Sequence, residues 1–116
     1  MTDANFNLHI VAGLRRRIPG VDIVTAQQSG LPTLPDPQLL SSARALDRNL
    51  LTHDRKSMPA HFTDHLAHLP ADQHSPGVMT VEQTLPVGAA IEAIRLEVMC
   101  SGHDEWQDQF VFLPLR

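Results

Sequence analysis

The stretch LLTHDRKSM (residues 50–58) places an aspartate directly after a short apolar run and follows it with two basic residues. A short apolar run of this kind is consistent with a buried strand of a parallel sheet. A carboxylate at the end of a buried strand is costly unless it caps a helix or binds a ligand. The surrounding elements therefore have to show which role Asp54 plays.

The remaining sequence alternates between helical and strand patterns. Apolar residues recur at helical spacing between residues 6 and 18, and a Pro-Gly pair ends this predicted helix. The β-branched run VDIVTA (21–26) predicts a strand, and a Pro-rich loop follows it. Asp36 is expected to cap a second helix that runs to about residue 47. The other predicted elements are strands at 49–53, 78–81 and 110–113 and helices at 56–68 and 87–99.

This alternation predicts the fold class. Strands separated by helices of about 10 to 13 residues indicate right-handed crossovers and a mostly parallel sheet covered on both faces. We expect an α/β three-layer sandwich that forms a single domain over residues 1–116. In such sheets ligands bind beyond the carboxyl ends of the strands. Asp54 lies on that edge.

The composition limits the classes of function. A formal net charge of -4 argues against coating duplex nucleic acid by bulk charge, although a short RNA can still bind locally. The sequence has four Phe, one Trp and no Tyr, so stacking of bases on aromatic side chains is not expected to supply most of the binding energy for RNA. No apolar run approaches the roughly 18–20 residues of a membrane span, and no signal-peptide pattern is present. Since Cys100 is the only cysteine, we expect a cytoplasmic protein without disulfides.

Several aspartates lie at predicted strand exits or helix starts. Asp22 begins its strand and is therefore at the wrong end for a shared site. Asp3, Asp36 and Asp54 could converge, because parallel strands present their carboxyl ends along one edge. Neighbouring carboxylates repel one another unless a cation lies between them, and hard oxygen ligands favour Mg²⁺ or Mn²⁺. Such a site could support phosphodiester hydrolysis.

Each of these aspartates also has a purely structural explanation. Asp36 and Asp54 are suitable caps for the helices that follow them, and Asp3 could belong to a frayed terminus. Arg55 and Lys56 lie beside Asp54, where they could contact a phosphate backbone. Spacing alone therefore leaves capping and metal binding both open.

A resemblance adds to this interpretation. The segments that carry it are DANFN (3–7), GLRRRIPGVDIV (13–24), GLPTLPDPQLL (30–40), LLTHDRKSMPAH (50–61) and PGVMTVEQTLPVGAAIEAI (76–94). In this order they resemble the PIN-like family of small bacterial proteins, often classed with the toxin-type PIN nucleases. The resemblance implies a parallel α/β sandwich, a divalent metal held by acids, cleavage of single-stranded RNA in the active members, and often a small antitoxin partner.

The resemblance also implies roles for individual residues. Asp3, Asp36 and Asp54 match the family's acids, which hold Mg²⁺ or Mn²⁺, and Asn5 matches the amide of the first motif. Beside these positions, Lys56 would either compete with a metal for the carboxylates or bind the scissile phosphate, and Arg55 could also contact the phosphate.

The sequence departs from the family pattern at two acids. Ala4 stands where the family usually has Glu, and Lys56 stands where it often has a second acid after Asp54. Fewer anionic ligands weaken a site for a hard dication. From the resemblance we expect a metal-dependent endoribonuclease of the toxin type. Because of the missing acids, the alternative is a catalytically weak or inactive PIN-like module that binds an antitoxin or a second copy of itself.

The first strand is unusually short for this pattern, since only Met1 and Thr2 precede Asp3. In the PIN arrangement this strand is central, and its loss would leave a gap of roughly 10 Å between its neighbours. The protein could begin upstream of Met1, the two neighbouring strands could pair with each other, or a strand of another chain could fill the gap. We accordingly predict a homo-oligomer or an antitoxin-bound form.

Overall fold

The computed structural model of the chain describes residues 1–25, 36–100 and 103–113. Its α-helices are α1 (Leu8–Arg17), α2 (Asp36–Ala45), α3 (Met58–Ala67) and α4 (Val87–Cys100). Its strands are β1 (Leu50–Thr52), β2 (Val78–Val81) and β3 (Phe110–Leu113), and a 3₁₀ helix spans His103–Trp106. No helix within the described ranges is long and apolar enough to cross a bilayer.

The three strands form an all-parallel sheet in the order β1-β2-β3. Leu50 of β1 is paired with Val78 of β2, which is paired in turn with Phe110 of β3. Every residue of β1 and β2 is buried. Burial on both faces explains why these strands appear in the sequence as continuous apolar runs rather than as an alternating pattern. The predicted α/β fold with a parallel sheet is confirmed.

Helices cover both faces of this sheet. Leu51 and Met79 point toward one core, which is shared with α1 and α4. Their neighbours Leu50 and Val78 point toward the other core, which is shared with α2 and α3. Successive strand residues face opposite sides, so the two cores alternate along each strand. The molecule is therefore a three-layer sandwich.

The first two residues occupy a strand position beside β1. Thr2 forms parallel bridges with both Thr25 and Leu51. Its N–H donates to the carbonyl of Val24 at 3.0 Å, and the carbonyl of Met1 accepts from Leu51 at 2.7 Å. Thr2 is fully buried. Thr2 thus occupies the position expected for the first strand, and at this level the chain itself fills the expected gap between the neighbours.

Some predicted elements differ from the observed ones. Residues 21–24 form no regular strand, because the neighbouring position offers only Thr2 as a bridging partner. Residue 26, the end of that predicted strand, lies outside the described ranges. Helix α1 begins at Leu8 rather than residue 6, because the Asn7 side chain caps it by accepting from the N–H of His9 at 2.9 Å.

Candidate functional site

Asp3 lies at the carboxyl edge of the sheet, beside the end of β1. Its N–H donates to the carbonyl of Leu51 at 3.3 Å, and its own carbonyl accepts from Phe6 at 3.3 Å. Its carboxylate Oδ2 accepts a hydrogen bond of 2.5 Å from the hydroxyl of Thr52. Main-chain and side-chain bonds together therefore fix this aspartate against the strand.

Asp54 is held by the same hydroxyl. Its N–H donates to Thr52 Oγ1 at 3.1 Å, while that hydroxyl donates its one proton to Asp3. Thr52 is fully buried. The structure thus brings two of the predicted site residues, Asp3 and Asp54, to one edge of the sheet and joins them through a buried side chain.

The Asp54 carboxylate also organises the start of α3. Its Oδ1 accepts from the N–H groups of Lys56 and Ser57, both at 3.0 Å, and its Oδ2 accepts from the Ser57 hydroxyl. These bonds satisfy donors just before the helix begins at Met58. They also explain why α3 begins two residues later than the sequence pattern predicted, since residues 55–57 form the capping turn.

A buried carboxylate oxygen beside Thr52 lacks a partner. Asp3 Oδ1 is buried and has no hydrogen-bond partner among the described residues. An unsatisfied buried polar group costs about 1–3 kcal/mol, so this position favours a ligand that supplies positive charge or a donor. The free oxygen of Asp3 is the strongest local indication of a cation.

The remaining predicted acid and amide are less well defined. Asp36 begins α2, but its side chain lies outside what the structure describes. Asn5 is exposed in the turn that connects Asp3 to α1.

The two predicted phosphate-binding residues are exposed beside Asp54. Arg55 forms an ion pair of 3.7 Å with Glu82, which follows β2. Its guanidinium carbon also lies 5.7 Å from the centre of the Phe112 ring on β3. The Lys56 side chain is exposed, while its N–H takes part in the Asp54 cap. Two exposed basic side chains therefore follow Asp54, and one of them is already paired with Glu82.

Mg²⁺ and Mn²⁺ require several oxygen ligands. The described residues contain no group of three His, Cys, Asp or Glu side chains arranged to hold an ion. Carboxylate oxygens are the preferred ligands of these ions, and Asp3 offers a buried oxygen without a protein partner. Asp3 therefore offers one buried carboxylate oxygen to a cation, whereas both carboxylate oxygens of Asp54 already accept hydrogen bonds from the turn before α3.

Sequence reasoning missed Thr52 and gave His53 no part in the site. His53 Nε2 accepts from the N–H of Asn7 at 3.2 Å, so Nδ1 carries the proton and donates to the carbonyl of Val81 at 2.9 Å. Its ring stacks on Phe6 with centroids 4.5 Å apart. Thr52 and His53 thus tie the turn after Asp3 to the sheet. A hydroxyl residue directly before a strand-end His-Asp pair was the available signal.

A separate cavity of about 580 Å³ lies at the opposite, amino edge of the sheet, lined in part by Met1, Val21, Asn49 and Trp106. The Met1 ammonium donates to the carbonyl of Asn49 at 2.7 Å. Burial, and secondarily the charge of Arg48, lower the pKa of this amino group to about 5. The cavity extends from Met1 to Leu51 and Met79 on the α1/α4 side of the sheet.

Comparison of the chain with known protein families, with curated proteins and with solved structures gives no match. The function of the protein therefore has to be inferred from its residues and their geometry.

Proposed function

We propose that the protein is a PIN-like endoribonuclease of the toxin type that depends on Mg²⁺ or Mn²⁺ and cleaves single-stranded RNA. The observation that carries this proposal is the buried Oδ1 of Asp3, which has no hydrogen-bond partner among the described residues. It lies at the carboxyl edge of a parallel sheet, where α/β proteins bind ligands, and is joined to Asp54 through Thr52.

In this proposal Asp3 and Asp54 hold the ion, with Asp36 as the third acid. A bound divalent cation supplies charge that stabilises a developing oxyanion and lowers the pKa of water. The hydroxyl of Thr52 holds Oδ2 of Asp3, which leaves Oδ1 for the ion. Asp54 has to share its oxygens with the α3 cap. That shared use gives a weak site, as expected from the loss of acids at Ala4 and Lys56.

Substrate contacts are assigned to the exposed side chains around the carboxylates. Arg55 and Lys56 bind phosphates of the RNA backbone, and Asn5 orients the substrate from the turn before α1. Because the net charge of the chain is -4, attraction to RNA has to come from such a local group of cations. The proposal therefore favours short single-stranded substrates over long duplexes.

The test combines manganese binding with RNA cleavage. Calorimetry should detect Mn²⁺ binding to the wild type, and Asp3→Asn should weaken it at least tenfold because the free oxygen loses its charge. Slow cleavage of single-stranded RNA should require Mn²⁺ and should be lost in Asp3→Asn and in Asp54→Asn. The matched control is Asp72→Asn, which removes a charge from an exposed aspartate away from the site.

Two results would refute the nuclease proposal. One is cleavage that persists in both site variants after repurification, since it would come from a contaminant. The other is wild-type protein that neither binds Mn²⁺ nor cleaves RNA, measured with the fold shown to be intact by circular dichroism.

A second candidate function is a PIN-like binding module without turnover, and the cap formed by Asp54 favours it. Both carboxylate oxygens of Asp54 bind groups of the capping turn, which is a complete structural role. Helix α4 also presents an exposed apolar face, with Leu96 51% and Met99 67% exposed. Such a face suits a second copy of the chain or a small antitoxin. Absence of Mn²⁺ binding together with self-association would favour this candidate.

A further inference from the structure

Phe112 is an aromatic side chain that lies largely outside the buried core. It is 43% exposed, whereas the neighbouring Leu113 is buried. It lies on β3, the edge strand of the sheet. An apolar run such as FVFL predicts burial of every residue, so an exposed ring at this position requires another explanation.

The ring is held in a fixed orientation by the protein. Phe112 packs against Phe110 with centroids 4.9 Å apart, and Phe110 packs against the buried Phe62 at 5.9 Å. These rings form a row from the core beneath α3 to the carboxyl edge of the sheet. Because the row anchors Phe112 from behind, its exposed part is ordered before any ligand binds, which reduces the entropic cost of binding.

A cation lies over one face of this ring. The guanidinium carbon of Arg55 is 5.7 Å from the Phe112 centroid, within the range of a cation–π contact. Arg55 immediately follows Asp54, so the ring and the candidate carboxylates share one edge of the sheet. The ion pair of Arg55 with Glu82 is 3.7 Å long and exposed, so the guanidinium can exchange this partner for a phosphate.

From this arrangement we infer that Phe112 and Arg55 bind one nucleotide of a single-stranded RNA, with its phosphate on the Arg55 guanidinium and its base against the part of the Phe112 ring that Arg55 and Phe110 leave exposed. The ligand class rests on the proposed function. Stacking on one aromatic ring accepts any base, and an adjacent arginine is a common companion in single-strand binding. One ring supplies a local contact, which agrees with an aromatic content too low for an extended stacking surface.

The experiment measures binding without cleavage. Fluorescence anisotropy of a labelled hexaadenylate RNA is recorded in EDTA, and a hexamer of the same length with abasic sugars serves as the second probe. Phe112→Ala and the more conservative Phe112→Leu should weaken hexaadenylate binding about 5- to 150-fold. Phe112→Trp should retain the affinity. The abasic probe should bind weakly and equally to all four proteins.

Matched variants separate stacking from general effects. Leu46→Ala, which removes a comparably exposed apolar side chain just after α2, should leave RNA binding unchanged. Arg55→Gln should weaken both probes and reduce the salt dependence, because a phosphate contact does not require a base. Circular dichroism and thermal midpoints verify that each variant is folded.

Several outcomes would overturn the inference: wild-type affinity for hexaadenylate in Phe112→Leu, an equal loss with the abasic probe, or no RNA binding by the wild type. Loss of self-association in Phe112→Leu with unchanged RNA binding would identify a protein interface and would also overturn it. The two proposals fail separately. Cleavage without Phe112-dependent binding refutes only this inference, and Phe112-dependent binding without Mn²⁺-dependent cleavage refutes only the nuclease.

Discussion

The hydroxyl of Thr52 donates a 2.5 Å hydrogen bond to the carboxylate of Asp3, although the two residues are 49 positions apart in the chain. Thr52 is fully buried and ends β1, and Asp3 directly follows the short first strand. A bond to an ionised acceptor is stronger than a neutral one. This contact therefore fixes the geometry of the candidate site and connects two distant segments of the fold.

Thr52→Val should test the structural value of this contact. Valine keeps the shape of threonine but leaves Asp3 Oδ2 and the N–H of Asp54 without their partner. We expect the free energy of unfolding to fall by about 1–3 kcal/mol, as measured by urea denaturation. Mn²⁺ binding should weaken as well, because Asp3 loses its orientation.

Thr80→Val is the matched control for that substitution. Thr80 is equally buried in the adjacent strand, but its hydroxyl makes only a long bond of 3.4 Å to the carbonyl of Val111. We expect a smaller loss of stability and no change in Mn²⁺ affinity. Equal losses of unfolding free energy in the two variants would show that the hydrogen bond from Thr52 to Asp3 does not contribute more than the bond of Thr80.

Much of the fold could be predicted from local patterns. Apolar residues at helical spacing located α1, and the apolar run ending at Asp54 located β1 and the edge that carries the candidate site. Those features depend on neighbours within one or two turns of the chain, which a sequence pattern records directly.

The remaining features depend on distant partners. Met1 and Thr2 are too few to show a periodicity, and only Thr25 and Leu51 give Thr2 its strand position. Thr52 gave little signal, because its role requires Asp3 to be beside it. Phe112 is exposed although the run FVFL predicts burial, because its exposure depends on which distant elements cover that face of β3.

Stability should depend on pH through the Met1 amino group. Its pKa is about 5 in the folded state, against 8.0 for the same group exposed to water in the unfolded chain. Between these values the unfolded chain binds the proton and the folded chain does not. The free energy of unfolding should therefore rise as pH increases from about 5 to about 8, by up to roughly 1.4 kcal/mol per pH unit.

Acetylation of the amino group isolates this effect from other groups. His65, whose pKa is lowered by burial and by Arg44, changes stability in the same direction over part of this range. Acetylated protein keeps the N–H that donates to Asn49 but cannot titrate there. Its urea denaturation should show a shallower pH dependence, with mass spectrometry confirming that Met1 is retained. Identical slopes for the two forms would contradict the assignment.

An apolar extension before Met1 should stabilise the fold. The cavity of about 580 Å³ is lined by Met1 and by residues 21–23 and 48–49. Adding Val-Ile-Val would replace the buried ammonium by an amide and place apolar side chains in this space. After the cost of ordering the added residues, we expect a gain of roughly 1–3 kcal/mol in the free energy of unfolding.

A Gly-Ser-Gly extension is the control, since it removes the ammonium but fills no apolar space. The difference between the two extended proteins in urea denaturation measures the contribution of filling the cavity. If both extensions have the same effect, the cavity does not act as a position for a strand.

Self-association through α4 is the final prediction. Leu96 and Met99 are exposed on this helix, and the exposed Ala89 two to three turns earlier allows a close approach of another helix. Sedimentation equilibrium of the wild type should give a mass above that of the 12.8 kDa chain. Leu96→Glu should restore the monomer, because a charge in an apolar contact loses its hydration without gaining a partner.

Leu8→Glu is the matched control, since Leu8 on α1 is 52% exposed and Leu96 is 51% exposed. This variant should remain associated. A wild type that sediments as a monomer at high concentration, or equal dissociation in both variants, would reject α4 as the contact surface.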